Sequence, residues 1–151
     1  MQPRIKNAAV ILPGAMQAIQ ALNASIEKAG APPAVLQLAH LRASQINGCA
    51  VCIDYGVKHA KGSGETDERL YAVSAWRDAP YFSDAERAVL ALTEAVTRID
   101  DRSDPVPDDI WAEATKHFDD RALAGIVLSI ATTNMFNRIN VATRQVAGAA
   151  W

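Results

Sequence analysis

Apolar residues along this chain recur at intervals of three and four rather than two. Met16, Ile19, Leu22 and Ile26 trace one helical face, and Gly30 with Pro32 and Pro33 ends that segment. A second helix is expected from about Ala34 to Ile46, with Leu36, Leu38, Leu41 and Ile46 apolar, and Asn47-Gly48 breaks it. A third is expected from about Cys49 to Lys61, ended by Gly62 and Gly64. Thr66 can cap a fourth, through Leu70 and Val73, and Ser83 with Glu86 forms the S-x-x-E capping box of a fifth that carries Val89, Leu90, Leu92 and Val96. Asp104 to Pro107 is a loop. Asp108 or Asp109 can cap a helix through Trp111 and Ala114, and the most apolar helix is expected from about Arg121 to Ala147. No stretch holds the two-residue alternation of a half-buried strand, and no repeat or low-complexity tract appears. The fold class is all-α, one domain over residues 1–151, built as a helical bundle.

Composition narrows the setting. Half the residues are hydrophobic, enough for a core without disulfide staples. A net charge of −2 gives no field for nucleic acid or an anionic lipid surface. The first residues, Met1 to Leu12, faintly resemble a signal peptide with Ala21 or Ala24 near a cleavage site, but Pro13, Gly14, Gln17 and Gln20 interrupt the apolar stretch. No run approaches a membrane span. Two cysteines do not make an extracellular disulfide framework, so a cytoplasmic protein is expected.

Those two cysteines carry the chemistry. Cys49 and Cys52 are three residues apart, and one helical turn puts their Cα atoms about 5 Å from each other, within reach of a disulfide. Cys49 stands where a helix begins, and the unpaired N–H groups and dipole there favour a thiolate. A thiolate attacking a peroxide becomes a sulfenic acid, which a neighbouring thiol condenses to a disulfide. The bland alternative is two buried, inert cysteines. Neither a cofactor nor a metal is called for, because one C-x-x-C supplies two ligands and His40, His59 and His117 add no second paired spacing.

Other polar residues fit structural roles first. Arg42, Asn134, Asn137 and Arg138 lie within apolar helices, where such groups satisfy buried hydrogen bonds or subunit contacts, with pocket lining as the alternative. Trp76, Trp111 and Trp151 fit core or interface. Glu86 reads as a cap, Glu94 as an exposed helix face, and Asp54 as a solvated or inter-helix contact.

The segment Arg42-Ala43-Ser44-Gln45-Ile46-Asn47-Gly48-Cys49, followed by Cys52-Ile53-Asp54, resembles the core of the alkylhydroperoxidase D-like (carboxymuconolactone decarboxylase) family. The resemblance continues through Gly64-Glu65, Arg69 to Ala72, Ser74 to Arg77, Glu86 to Ala88 and Thr93 to Thr97, and reaches Asn137-Arg138. It implies an all-helical fold, assembly into homo-oligomers that are often trimers or hexamers, and peroxide reduction in the thiol peroxidase branch. There the second cysteine, Cys52, attacks a small hydroperoxide and the first, Cys49, resolves; an external thiol restores the pair.

Two positions depart from the family pattern. Its histidine four residues after the second cysteine is Gly56 here, and its glutamate twelve residues before the first cysteine is Gln37. Gln37 can hydrogen-bond but cannot take a proton at neutral pH. Substitutes for that proton relay are His59, on the helical face of Cys52 but about 10.5 Å along the axis; His40, close to one turn beyond Gln37; and Tyr55 as a hydrogen-bond donor. A water in space left free by Gly56 would bridge the distance. Three functions follow: a thiol peroxidase or disulfide reductase, a non-enzymatic redox-responsive or structural oligomer, and a decarboxylase or lactone-handling enzyme.

Overall fold

The computed structural model describes residues 1–99 and 103–149. Its helices are α1 (Ala8–Ile11), α2 (Ala15–Glu27), α3 (Pro33–Asn47), α4 (Ala50–Gly62), α5 (Asp67–Ala72), α6 (Asp84–Thr97), α7 (Asp108–Thr115) and α8 (Asp120–Thr143). A short 3-10 turn, Val73–Ala75, follows α5. No strand occurs among the described residues, and no helix among them is long and apolar enough to cross a membrane. Trp151 lies outside the described residues.

Local signals set most boundaries. Thr66 accepts from the Arg69 N–H at the start of α5, and Ser83 and Glu86 close their capping box reciprocally on α6. Pro33 occupies the first turn of α3, where no N–H bond is needed. Gly48, at φ 65°, ends α3 in the left-handed conformation that suits glycine. Two expectations differ, and one short helix was not expected. The N-terminal stretch forms α1, because the Asn7 side chain accepts from the Ala9 N–H as its cap. Neither Asp108 nor Asp109 caps α7: Pro107 takes the cap position, and the two carboxylates stand in the first turn, where the dipole favours them. α8 stops at Thr143, short of Ala147, because Arg144 turns left-handed at φ 55°.

Helix α3 lies at the centre and buries two faces. One packs with α6, α7 and α8 through Val35, Ala39, Val89, Leu92, Leu123 and Ile126. The other packs with α4, α5 and α6 through Leu38, Leu41, Leu70, Trp76, Phe82 and Leu90. Each large side chain removed from water here contributes roughly 1.5–3 kcal/mol. Trp76 is core as expected, whereas Trp111 is 41% exposed.

Glu94 is not on an exposed face. It is 6% exposed and forms the centre of a charged cluster. Arg42 reaches its Oε1 at 2.8 and 2.7 Å and the Trp76 indole N–H donates to the same atom at 2.9 Å. Arg77 and Arg98 donate to Oε2 at 2.9 and 3.0 Å. Burial pushes the carboxyl upward, but the bonds from Trp76, Arg77 and Arg42, with the charge of Arg42, prevail and hold it at about 2. Helical spacing suggested the solvent face because every partner of Glu94 named here except Arg98 comes from α3 or the segment after α5. Arg42 thereby proves to be a buried-pair residue that ties α3 to α6.

The end of α3 is fixed to α8 by amides. Asn47 donates to Asn134 Oδ1 at 2.9 Å and Asn137 Oδ1 at 2.8 Å. Asn137 donates in turn to Ser44 Oγ at 3.1 Å, and Asn134 to Thr97 Oγ1 at 3.2 Å. Asn134 and Asn137 are buried, as expected for polar groups that satisfy one another, while Arg138 is exposed and donates back to Asn134.

Candidate active site

The turn that ends α3 delivers Cys49 to the N-cap of α4, and one helical turn brings Cys52 beside it. Their Cα atoms are 5.3 Å apart and the sulfurs are joined as a disulfide. Cys49 and Cys52 are 1% and 4% exposed. The Cys52 N–H donates to the Cys49 sulfur at 3.4 Å, so the sulfur replaces the oxygen of an ordinary cap. The other sulfur, Cys52 Sγ, accepts from the Asn140 side-chain amide at 3.3 Å.

The two cysteines face different openings. Cys52 borders a cavity of about 480 Å³ whose walls include Met16, Ile26, Leu36 and Phe136. Gln37, His40, Tyr55, Gly56 and His59 border the same cavity. Cys49 instead borders a cleft of about 450 Å³ with Gly48, Ala50, Arg144 and Gln145. Among the described residues, Val51 and Asn140 alone line both openings.

Among the expected relay residues, His40 is hydrogen-bonded to a cysteine. Its Nε2 bonds the Cys52 carbonyl at 3.1 Å, and because a carbonyl only accepts, Nε2 carries the proton. Nδ1 then accepts from the Thr133 hydroxyl at 3.3 Å. Burial holds this imidazole below its ordinary value; the bond to Cys52 opposes that and the charge of His59 adds to it. The space beside Gly56 is occupied by this ring rather than open to a water. A Cβ at Gly56 would meet His40 Cδ2 at 2.8 Å and Nε2 at 3.2 Å. Replacing the side chain on α4 by hydrogen is what lets an imidazole from α3 enter.

The remaining candidates stand further out. Gln37 donates to Ser63 Oγ at 3.1 Å rather than to either sulfur. Tyr55 is 60% exposed; its ring meets His40 edge-on at 5.9 Å and stacks on His59 at 5.8 Å. His59 is exposed, and both rings line the cavity. Asp54 is a solvated residue, paired with Lys58 at 2.8 Å one turn along α4.

Sequence reasoning missed Asn7, Thr133 and Asn140. A signal was available in α8: Thr133, Asn137 and Asn140 follow one another at helical spacing in an otherwise apolar run, and all three are buried. Nothing in the sequence signalled that Asn7, 133 positions away, would meet that face.

Residues 13–95 match the carboxymuconolactone decarboxylase family model. The chain is similar to the uncharacterized protein YdfG of Bacillus subtilis, with 38% identity over 106 residues, 70% of this chain and 71% of that protein. It is 35% identical to the uncharacterized protein YnjA of Escherichia coli over 112 residues, 73% of this chain and 59% of that protein. Among solved structures it resembles ATU0492 of Agrobacterium tumefaciens, a protein of unknown function suggested to be the antioxidant defence protein AhpD. The TM-score is 0.89 and the identity 34%, over 99% of this chain and 100% of that one. The debrominase Bmp8 shares the fold at TM-score 0.78 and 21% identity, over 91% of this chain and 73% of that one. With the family model matching more than half of its length, this chain belongs to the carboxymuconolactone decarboxylase family and has the alkylhydroperoxidase D-like helical fold.

Proposed function

We propose that the chain is a thiol-dependent peroxidase or disulfide reductase in which Cys52 attacks and Cys49 resolves. One observation carries this reading: Cys52, and not Cys49, borders the larger of the two openings, together with the half-buried imidazole of His40. The apolar walls of that cavity suit the organic part of a small hydroperoxide.

The steps balance as follows. The Cys52 thiolate attacks the outer oxygen of the hydroperoxide; an S–O bond forms, the O–O bond breaks, and the alkoxide leaves as an alcohol after taking a proton. The Cys49 thiol then attacks the Cys52 sulfenic acid, forming the disulfide and releasing water. An external dithiol reduces the disulfide and is itself oxidised. His40 exchanges protons with the cavity through its bond with Thr133, standing in for the histidine that Gly56 replaces. A homo-oligomer in the cytoplasm is the setting this proposal assigns.

The test is thiol loss in the fully reduced protein mixed with an organic hydroperoxide across a pH series. Loss much faster than for a simple thiol of equal pKa, ending in the Cys49–Cys52 disulfide, supports the proposal. Loss no faster than that thiol leaves a redox-responsive or structural protein. Full hydroperoxide-dependent turnover by Cys52→Ser would overturn the assignment of the attacking sulfur.

A further inference from the structure

The Asn140 amide has only one orientation open to it, and that orientation aims its N–H at Cys52. The constraint begins at the Ala9 backbone N–H, which can only donate. It donates to Asn7 Oδ1 at 2.9 Å, so the other end of the Asn7 amide must be its NH2 group. That group donates to Asn140 Oδ1 at 3.1 Å. Asn140 Nδ2 is therefore the atom 3.3 Å from Cys52 Sγ. Each amide end is fixed by the one before it, starting from a backbone group that cannot be reversed. Asn7, Asn140 and Cys52 are 5%, 5% and 4% exposed, so water does not compete freely for these bonds.

The segment carrying Asn7 is tied down independently. The Arg4 N–H donates to the Thr143 carbonyl at 2.9 Å, and the Arg4 guanidinium to the Ala142 carbonyl at 3.0 Å. Gln145 donates to the Ile5 carbonyl at 2.9 Å. The start of the chain is thus fastened across the end of α8, with Asn7 over Asn140.

We propose that Asn140 is a catalytic residue that holds the Cys52 sulfur as its thiolate, and that Asn7 is the positioning residue that keeps the Asn140 amide turned the right way. An NH2 group has no lone pair to offer a thiol proton, so it favours the ionised form, and a donor to an ionised acceptor makes a stronger bond than one to a neutral acceptor. Cys49 and Cys52 then have separate stabilisers. Cys49 has the first-turn N–H of α4, and Cys52 has a side chain from α8. The catalytic consequence rests on Cys52 being the attacking thiol.

The experiment measures the rate of iodoacetamide alkylation against pH in a Cys49→Ser background, so that a single thiol titrates. Asn140→Leu is expected to raise the midpoint by about one pH unit, leaving about tenfold less thiolate at a given pH below it. Asn7→Asp is the sharper variant. Its carboxylate can still accept from the Ala9 N–H, but it has no donor for Asn140 Oδ1. The Asn140 amide then turns its NH2 to the new carboxylate and its oxygen to Cys52. The midpoint is expected to rise at least as far as in Asn140→Leu, although Asn140 and Cys52 are both unchanged. Unshifted midpoints in folded variants would overturn the proposal, and Asn7→Asp decides it should Asn140→Leu fail to fold. Hydroperoxide consumption by the unsubstituted chain is measured beside it. Shifted midpoints without that consumption keep the thiolate assignment and remove the peroxidase reading. Consumption with unshifted midpoints does the reverse.

Discussion

The His40 ring occupies the space that a side chain on Gly56 would take, 2.8 Å from the position of its Cβ. Gly56→Ala therefore acts on His40 before it acts on stability. The helix gains up to about 1 kcal/mol from alanine, while the ring must leave its contact with the Cys52 carbonyl. The expected outcome is thermal unfolding equivalent to within about 1 kcal/mol, with hydroperoxide-driven thiol loss slowed about tenfold or more. Unchanged kinetics in Gly56→Ala would remove His40 from the relay.

The same substitution at Gly125 should behave differently. A Cβ there would lie 2.5 Å from the Ala29 Cβ, just past the end of α2, and neither atom is the tip of a flexible chain. Overpacking of this kind costs about 1–3 kcal/mol, more than the helix gains. Gly125→Ala is expected to lower the midpoint of chemical unfolding, with the thiol kinetics of the folded fraction unchanged.

The histidines can be separated kinetically. His40 is half-buried and hydrogen-bonded to Cys52 and Thr133, whereas His59 is exposed and stacked on Tyr55. His40→Gln is expected to slow thiol loss by about 10- to 100-fold, and His59→Ala to leave it nearly unchanged. The opposite ranking, in single-turnover mixing with hydroperoxide, would assign the relay to His59.

Acid stability should show two windows. The His40 pKa lies below its unfolded value of 6.5, because burial resists the charge, so the unfolded chain binds more protons as pH falls. Its contribution is complete above about 6.5 and declines below that. Glu94 is held at about 2 against 4.5, so its contribution is complete above 4.5 and is lost as pH falls toward 2. Denaturant titrations at stepped pH should show the upper window vanish in His40→Gln and the lower in Glu94→Gln. At neutral pH Glu94→Gln is expected to cost about 3 kcal/mol, because Arg42 remains buried without its anion.

The elements were legible because their signals are local. The Ser83–Glu86 box, the Asn47-Gly48 break and the three-to-four spacing of apolar residues each act within a turn or two of helix. Errors arose where an element's edge depends on distant contacts. Glu94 looked solvent-facing on its own helix, yet it lies against Arg42 from α3 and Trp76 from the segment after α5. Asn7 carried no signal of its own in the sequence, yet it caps α1 and meets Asn140.

The sequence by itself determined an all-helical chain and the pair Cys49 and Cys52, since helix periodicity and the reach of a disulfide are properties of neighbouring residues. Its resemblance to the family also marked Gly56 and Gln37 as departures from the family pattern. Only the tertiary structure decided what surrounds the cysteines: His40 rather than His59 beside Gly56, Asn140 on the Cys52 sulfur, and Asn7 behind it. Those contacts join residues 12 to 133 positions apart. Spacing along one helix cannot supply them, because they depend on how α3, α4 and α8 pack and on where the chain's first residues are fastened.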